Sequence, residues 1–437
     1  MRVGMEIFMK TIKVGLIGAG HRGVGLIGSI LASDNVEVVA VADLYEERVE
    51  KAKAEVKRIS GKEPLGYSDG YELIKSDEVE AVVVASYWEE HVNLAVAAMR
   101  AGKYTAVEVA GAYDVEDCWM LVRTYEETKT PIMFLENCCF GKFELTSTAL
   151  ARCGKFGRIV YCHGAYSHEL LGEILGGDVD KHYRLRNYEK RNCENYPTHE
   201  IGPIAKLLNI TRGNKFLTLS SQASKSGVGI CACIESDKCP DKNQAGKDFN
   251  QGDIVFTTIK CQNGELVTIK LDTTLPRYYS REFTVRGTKG FAEENASMFA
   301  FADDENLHEC FNSAKFLEDH MGNIEKYSDY IPDVWKNITS EQLEVGHDGI
   351  DCLEFMAFFK AIREGTPMPI DVYDMATWMV ITPLTEQSIA LGGAPVAFPD
   401  FTRGKWILRA PEDVVELPKP KECKTCESKA TLGFGRS

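Results

Sequence analysis

The sequence of 437 residues lacks both a long apolar run and a stripe rich in lysine and arginine. Crossing a bilayer takes about 20 consecutive apolar residues, so we predict no membrane-spanning helix. The 50 basic residues are outnumbered by 65 acidic ones, which gives a formal net charge of −15. Because nucleic acids and anionic membranes are bound by basic surfaces, we expect neither as a partner.

The chain also has little at its amino terminus that would direct secretion. The opening MRVGMEIFMK is too short and too weakly apolar for a signal peptide, so we expect a cytoplasmic protein. A start at Met9 and a trimmed leader are the open alternatives. The 14 cysteines are scattered, and Cys423–Cys426 is the only CxxC. No second pair or histidine stands at zinc-like spacing, so we predict no metal site and reduced thiols.

The length of the chain and the order of its predicted strands and helices indicate two domains and an α/β fold. An apolar content of 44% over this length allows two sizeable cores. Strands alternate with helices at first, which is typical of a doubly wound parallel sheet. After about residue 155, long β-type runs with hairpin-like breaks indicate a large, mostly antiparallel sheet in a second α/β domain. We predict domains at 10–137 and 138–406 and a C-terminal extension at 407–437.

Within the second domain the patterns predict three helices and one irregular stretch. The helices fall at THEIGPIAKLLN (198–209), at about 350–363 and at about 373–391, whereas 300–345 is polar and irregular. The tail from Leu417 is typical of a flexible extension or an arm onto a partner subunit. Because open antiparallel sheets often pair, we expect a homodimer.

A Gly-x-Gly-x-x-Gly pattern, formed by Gly18, Gly20 and Gly23, follows the first buried strand and opens a helix. In that context the glycines allow a tight turn and a close approach to a pyrophosphate, which the helix N-terminus then binds. Asp43 ends the second strand, where a carboxylate would accept the ribose 2′-hydroxyl and repel a 2′-phosphate. The sequence therefore predicts a Rossmann domain that binds NAD rather than NADP, although Arg48 lies nearby. A Rossmann-like domain without a dinucleotide is the alternative.

The segment NYPTHEIGPIAKLLN, at 195–209, holds the strongest candidates for proton transfer. Thr198 is predicted to cap a helix, which puts His199 at the helix start, where the dipole favours a neutral imidazole. Tyr196 offers a phenol three residues earlier. An ordinary histidine at a helix entrance is the structural alternative.

Other polar side chains fall where the predicted parallel sheet would bind a ligand. The string Trp88-Glu89-Glu90-His91 opens a helix after one buried strand, and Glu108 ends another. Both lie at the carboxyl edge of the sheet, which is the usual ligand site. The loop HYRLRNYEKRN, at 182–192, is dense in arginine, tyrosine and asparagine, and a solvated face would look the same. The second domain adds Tyr166, His168 and Tyr279.

Together these strings resemble the Gfo/Idh/MocA oxidoreductase superfamily and, within it, glycoside hydrolase family 109. The resemblance runs from about residue 12 to 406. Its specific strings are YPTHEIGP and LPRYYS, supported by GLIGAGHRG, WEEH, LENCC, GHDGID and PVAFPDFTRGKW. Dehydrogenases of the superfamily usually carry Glu-Lys-Pro after the fifth strand. Here Glu108 is followed by Val109 and Ala110, which favours the glycosidase branch.

The resemblance implies an NAD-dependent glycosidase acting on N-acetylhexosaminides, similar to α-N-acetylgalactosaminidases. Its chemistry would oxidise sugar carbon 3 transiently, eliminate the group on carbon 1, add water and return the hydride. His199 and Tyr196 would carry the proton transfers. The expected NAD contacts are Gly18, Gly20, His21, Arg22, Gly23, Asp43, Trp88, His91, Glu108, Val109 and Asn137. The expected carbohydrate contacts are Tyr166, Arg184, Tyr196, Pro197, Thr198, His199 and Tyr279.

The chain departs from the pattern it resembles at Phe140, where the family often has tyrosine, and at Glu90, where it usually has tryptophan. A secretion signal common in that family is missing as well. Two alternatives therefore stay open. One is a plain NAD-dependent sugar or cyclitol dehydrogenase, against which the missing lysine counts. The other is a non-enzymatic, NAD-sensing or transcriptional partner protein, against which the intact string from Tyr196 to His199 counts.

Overall fold

A computed structural model describes residues 10–176, 183–304 and 306–420. The first part of the chain forms six strands and five helices. The strands are β1 Ile12–Ile17, β2 Val36–Ala42, β3 Leu65–Tyr67, β4 Ala81–Val84, β5 Tyr104–Glu108 and β6 Ile132–Leu135. The helices are α1 His21–Leu31, α2 Glu46–Ser60, α3 Gly70–Lys75, α4 His91–Arg100 and α5 Val115–Thr128.

The six strands form one parallel sheet in the order β3-β2-β1-β4-β5-β6. Continuous apolar runs explain its burial on both faces: β4 reads AVVV and β6 reads IMFL, and all eight residues are buried. Consecutive strands run outward in opposite directions from β1, so the crevice for a ligand opens between β1 and β4. The predicted Rossmann domain is confirmed.

The second part of the chain forms one sheet of eight strands. These are β7 Ile159–Ser167, β8 Phe216–Ala223, β9 Ile254–Cys261, β10 Leu266–Asp272, β11 Thr284–Gly287, β12 Gly290–Glu293, β13 Met298–Phe301 and β14 Val396–Ala397. Their order is β13-β12-β11-β7-β10-β9-β8-β14. Only the pair β7–β10 is parallel among these described strands, so the predicted mostly antiparallel sheet is confirmed.

The helices of this part lie around that sheet and against the first domain. They are α6 Lys142–Arg152, α7 Leu171–Leu175, α8 Tyr183–Lys190, α9 Thr198–Leu207, α10 Val228–Glu235, α11 Ser313–His320, α12 Asp333–Lys336, α13 Ser340–Leu343, α14 Ile350–Glu364, α15 Val372–Met379 and α16 Ile381–Ala390. Short 3-10 turns occur at Trp88–Glu90, Asn137–Phe140, Lys242–Gln244, Leu307–Glu309, Asn323–Tyr330 and Lys405–Ile407. The stretch 300–345, predicted to be irregular, therefore contains three short helices.

The late helix predicted at 373–391 is divided in two around Val380. Pro383 has no N–H to donate to the carbonyl four residues earlier. That carbonyl belongs to Met379, and it accepts instead from the N–H of Ala112 in the first domain (3.0 Å). The break in the helix thus joins the two domains.

The described part of the chain contains no helix that is both long and apolar enough to cross a lipid bilayer. Eleven of the twelve cysteines in the same residues are free, and seven of those are buried. At the start of the predicted tail, Leu417 packs against the core. Cys423–Cys426 and the rest of the predicted extension lie outside the described residues.

Candidate active site

Glycine shapes the turn between β1 and α1 at two positions. Gly18 has a φ of +93°, and a Cβ there would lie 2.4 Å from the carbonyl oxygen of Ala85. A Cβ on Gly23 would lie 1.8 Å from the carbonyl oxygen of Gly18. A Cβ on Gly20 would meet only Nη1 of Arg48, at 3.9 Å. Because no side chain caps α1 at Gly20, the turn leaves a cradle that fits a pyrophosphate.

Asp43 follows β2 and braces this cradle. Its Oδ2 accepts from the N–H of Ala19 (2.8 Å), and its Oδ1 accepts from the N–H of Tyr45 (3.0 Å). Nη1 of Arg48 lies 4.0 Å from Oδ2, so the carboxylate offsets the cation that would suit a 2′-phosphate. The residues present therefore fit the ribose of NAD.

Trp88 and His91 follow β4 at the same edge of the sheet. The Trp88 ring is buried, with its centroid 4.6 Å from that of Tyr183 and 5.6 Å from that of Tyr196. His91 is 1% exposed, and its Nε2 donates to the carbonyl of Ser86 (2.9 Å). Burial lowers the pKa of His91 to about 4, so the ring is neutral at neutral pH.

Arg22 and Asn137, two of the expected NAD contacts, meet one carboxylate at the start of α14. Arg22 donates from Nη1 to Oδ2 of Asp351 (2.6 Å) and from Nε to Oε1 of Glu108 (2.8 Å). Asn137 donates from Nδ2 to Oδ1 of Asp351 (2.7 Å). Sequence reasoning missed Asp351, although the string GHDGID that contains it had been singled out.

Two further expected NAD contacts flank this group. Val109 is buried, and its N–H donates to Oε2 of Glu108 (3.2 Å). His21 is the first residue of α1 and is exposed. All the predicted cofactor residues therefore lie around one edge of the first sheet.

His199 stands at that edge with a carboxylate behind it. It lies in the first turn of α9, and its Nδ1 is 2.7 Å from Oε1 of Glu136, the residue that follows β6. Burial raises the pKa of Glu136, but the charge and hydrogen bond of His199 bring it below its usual value. The carboxylate fixes the ring and leaves Nε2 for a ligand. Sequence reasoning missed Glu136, whose position beside Asn137 at a strand end was the available signal.

The tyrosine rings of the second domain close around His199. The ring centroid of Tyr196 is 4.9 Å from that of His199 and 4.5 Å from that of Tyr166. Burial raises the pKa of Tyr196 well above its ordinary value, so the phenol keeps its proton. The predicted cap was wrong: α9 begins at Thr198, Pro197 precedes it, and no side-chain cap forms. His199 still falls in the first turn, as expected.

Arg184 supplies the positive charge of this half of the site. Its guanidinium lies 5.1 Å from the Trp88 ring centroid and 4.9 Å from that of Tyr196. Nε of Arg184 is 2.8 Å from Oε1 of Glu173. Tyr279 stands further out, half-exposed, with its ring 5.1 Å from that of His168. Arg184 is thus fixed inside the site, whereas Tyr279 forms its rim.

Two buried acids support the segment that carries Tyr196 and His199. Glu194 and Glu200 are both buried, and Oε1 of Glu194 accepts from the N–H of Tyr196 (3.3 Å). Burial raises the pKa of Glu194 to about 8 and that of Glu200 well above its usual value. Glu194 therefore keeps its proton at neutral pH.

Phe140 and Glu90, the two residues that depart from the family pattern, differ in burial and in their contacts. Phe140 is fully buried, so its position has no need of a tyrosine hydroxyl. Oε2 of Glu90 accepts from the hydroxyl of Tyr71 (3.0 Å).

One group of described side chains has the composition of a metal site. Glu136, Cys138 and His199 each bring one ligand atom within 4.8 Å of the others. The hydrogen bond between His199 and Glu136 already occupies two of those atoms. This hydrogen bond accounts for their closeness without an ion.

Comparisons with known proteins match both halves of this arrangement. Residues 12–135 match the oxidoreductase family with an NAD-binding Rossmann fold, and 140–408 match the C-terminal domain of glycosyl hydrolase 109. An alpha-N-acetylgalactosaminidase of Tannerella forsythia is 35% identical over 423 residues, 92% of this chain and 88% of the relative. One of Bacteroides fragilis is 33% identical over 412 residues, 91% and 93%. The chain belongs to glycoside hydrolase family 109.

Solved structures share the fold of this family 109 protein. A levoglucosan dehydrogenase in complex with NADH and levoglucosan has a TM-score of 0.65 at 20% identity, covering 89% of this chain and 100% of the other. A scyllo-inositol dehydrogenase from Lactobacillus casei with bound NAD(H) and scyllo-inositol has a TM-score of 0.60 at 14% identity, covering 89% and 99%. The family 109 protein is an NAD-dependent glycosidase, so both alternatives, the dehydrogenase and the non-enzymatic partner protein, are disfavoured.

Proposed function

We propose that this protein hydrolyses α-linked N-acetylgalactosaminides with NAD as a resident cofactor. The observation that carries the proposal is the contact between buried Glu136 and partly buried His199, with Tyr196 beside it, at the carboxyl edge of the Rossmann sheet. The relatives from Tannerella forsythia and Bacteroides fragilis bear the name alpha-N-acetylgalactosaminidase, which supports this substrate class.

NAD would supply a transient oxidation at sugar carbon 3, which acidifies the proton on carbon 2 and is reversed at the end of the cycle. Nε2 of His199 would accept the carbon 2 proton, because Nδ1 is held by Glu136 at 2.7 Å. The Glu136 carboxylate would stabilise the imidazolium that forms, as the acid of a catalytic triad does. The electron pair of the broken C–H bond forms the double bond between carbons 2 and 1, and the group on carbon 1 leaves.

Tyr196 would act on the leaving group. Its phenol is protonated because burial raises its pKa, so it can donate a proton to the departing oxygen. The guanidinium of Arg184, 4.9 Å from the ring, would stabilise the phenolate that results. Water would then add to carbon 1 with the two proton transfers run in reverse. We propose that Tyr166, Pro197, Thr198 and Tyr279 line the sugar pocket.

The cofactor residues would bind without taking part in proton transfer. Gly18 and Gly23 would hold the tight turn, Gly20 would leave room for the pyrophosphate, and Asp43 would accept the ribose hydroxyls. The other proposed NAD contacts are His21, Arg22, Trp88, His91, Glu108, Val109 and Asn137.

The test is hydrolysis of a p-nitrophenyl α-N-acetylgalactosaminide in deuterium oxide. The product should carry deuterium at carbon 2, because the proposed base takes that proton and exchanges it with solvent. A glycosidase that works by direct displacement with paired carboxylates is the control, since it leaves carbon 2 untouched. A product without deuterium at carbon 2 would overturn the proposal.

The same reaction, followed at the absorbance of NADH, separates the glycosidase from a dehydrogenase. The proposed cycle returns its hydride, so the reduced cofactor should not accumulate with turnover. Accumulation of one NADH for each sugar consumed, without release of p-nitrophenol, would favour a sugar dehydrogenase instead.

We also propose a cytoplasmic homodimer. The free cysteines favour a reducing compartment. The large sheet carries Phe256 and Leu266 on adjacent strands, 45% and 38% exposed, and a second copy would bury both. Sedimentation should give twice the mass of one chain. Phe256→Asp should shift the measured mass towards that of a single chain. A single chain mass for the unmodified protein would remove the dimer.

A further inference from the structure

Four consecutive residues ahead of α14 have left-handed backbone. The φ angles are +50° at Gly346, +44° at His347, +55° at Asp348 and +89° at Gly349. Histidine and aspartate are among the side chains that tolerate this region, at a cost of about 1–2 kcal/mol each. Such a run persists only where the surrounding structure enforces it, and it is characteristic of functional sites.

The run directs Asp351 into the first domain. A Cβ on Gly346 would lie 2.5 Å from Oδ2 of Asp351 and 2.5 Å from Oγ of Ser29 in α1. Asp351 itself is 0% exposed and stands in the first turn of α14, where the helix dipole favours a negative charge. The backbone thus holds the Asp351 carboxylate of the second domain close to α1, the helix that follows the Gly-rich turn.

That carboxylate contacts three side chains. Arg22 donates to both of its oxygens, from Nη1 (2.6 Å) and from Nη2 (3.2 Å). Asn137 donates from Nδ2 (2.7 Å), and Nδ1 of His347 lies 3.0 Å from Oδ2. These partners hold the pKa of Asp351 well below its usual range despite burial, so it is ionised throughout the working pH range.

We infer that Asp351 is a positioning residue for NAD. The inference rests on the proposed function, in which Arg22 and Asn137 contact the cofactor. Arg22 lies in the first turn of α1, beside the glycine turn, and Asn137 follows β6 next to Glu136, which contacts His199 at the same edge. One carboxylate fixes both donors before NAD arrives, which lowers the ordering cost of binding.

The test replaces Asp351 with the neutral isostere in Asp351→Asn and measures NAD binding by titration calorimetry. Arg22 then loses an ionic partner, so affinity should fall about tenfold or more. At saturating NAD the kcat should stay near the unmodified value, because Asp351 does not touch the sugar. A loss confined to affinity is the signature of positioning, which a general loss of folding would not give.

Asp374→Asn is the matched control. Asp374 is another buried aspartate with an arginine partner: Nη1 of Arg212 donates to its Oδ1 (2.6 Å). It lies in α15, away from the Gly-rich turn. The Asp374→Asn variant should have a lower melting temperature and an unchanged NAD affinity. Unchanged or tighter NAD binding in folded Asp351→Asn would overturn the inference.

Arg22→Met separates this inference from the proposed function. Weak binding in Arg22→Met with normal binding in Asp351→Asn would mean that Arg22 contacts NAD but needs no positioning. Normal binding in Arg22→Met would instead remove Arg22 from the cofactor site. Should Asp351→Asn fail to fold, His347→Gly keeps a residue that tolerates positive φ and removes one Asp351 contact. It should weaken NAD binding about threefold, and no change there would count against the inference.

Discussion

The cofactor half of the site is built mainly from backbone, whereas the sugar half is built from side chains. Gly18, Gly20 and Gly23 act through the space they leave and the amides they expose. On the other side, His199 and Tyr196 act through their titrating groups and depend on neighbours such as Glu136. Damage to the first half should therefore appear in NAD affinity, and damage to the second in turnover.

The largest expected effect is in the sugar half. His199→Ala removes the proposed base, so kcat should fall at least about a hundredfold, the usual scale for a general acid or base. NAD affinity should not change, because no backbone in the cofactor turn moves. The control is His163→Ala on β7, whose ring bonds to Thr268 (2.8 Å) away from the site. The kcat of each variant is measured by steady-state kinetics on an aryl glycoside. Near-normal turnover in His199→Ala would remove His199 from the mechanism.

The next effect is in the cofactor half. Gly18→Ala places a Cβ 2.4 Å from the carbonyl of Ala85, so the turn must shift and NAD affinity should fall about tenfold or more. Gly213→Ala is matched in φ, at +88°, but its Cβ would meet nothing within 4 Å. It therefore costs stability without changing NAD binding. Equal NAD affinities in the two variants would show that backbone space is not what the cofactor half requires.

Acid should weaken the cofactor half. The pKa of His91 is lowered by burial to about 4 from an ordinary 6.5, so the unfolded chain takes up the proton first as pH falls. The stability from this group is full above about pH 6.5 and is lost towards pH 4. The loss is about 2 kcal/mol at pH 5. Urea unfolding between pH 4 and 8 should show a shallower slope in His91→Asn, and an unchanged slope would contradict the assignment.

Base should weaken the sugar half. The pKa of Glu194 is raised by burial to about 8, so its stability contribution is full below about pH 4.5 and is lost as pH rises towards 8. Glu194→Gln cannot ionise, so its stability relative to the unmodified protein should rise between pH 5 and pH 8. Urea unfolding at pH 5 and pH 8 tests this. If the variant were more stable than the unmodified protein at pH 5 but not at pH 8, the pH dependence would have the opposite sign and the prediction would be wrong.

The same contrast explains what the sequence could predict. The glycine turn is local, and its strand-turn-helix context is visible within 25 residues of sequence, so both the Rossmann domain and its cofactor were predicted correctly. The partners of His199 and Arg22 are not local. Glu136 lies 63 residues before His199, and Asp351 lies 329 residues after Arg22. Only the closed fold brings such pairs together, because nothing in their spacing marks them.

Errors in the predicted helices have equally local causes. The split at Val380 follows from Pro383, which has no N–H to donate within the helix. The proline is visible in the sequence, but the long apolar pattern around it led to the prediction of one continuous helix. The cap of α9 was shifted by one residue because a proline, not Thr198, precedes the helix. Polar stretches such as 300–345 hid short helices, since four- to eight-residue helices give little periodic signal.

The bond from Ala112 to Met379 has a consequence for the order in which the protein is made. It is not alone, since Phe134 in β6, an edge strand of the first sheet, donates its N–H to the carbonyl of Ile370 (3.1 Å). A ribosome adds roughly 5–20 residues per second, so these acceptors emerge roughly 10–50 s after the first domain has left the exit tunnel. Until then the edge of the nascent Rossmann sheet is open to other strands, and the last helices to be synthesised are the ones that close it.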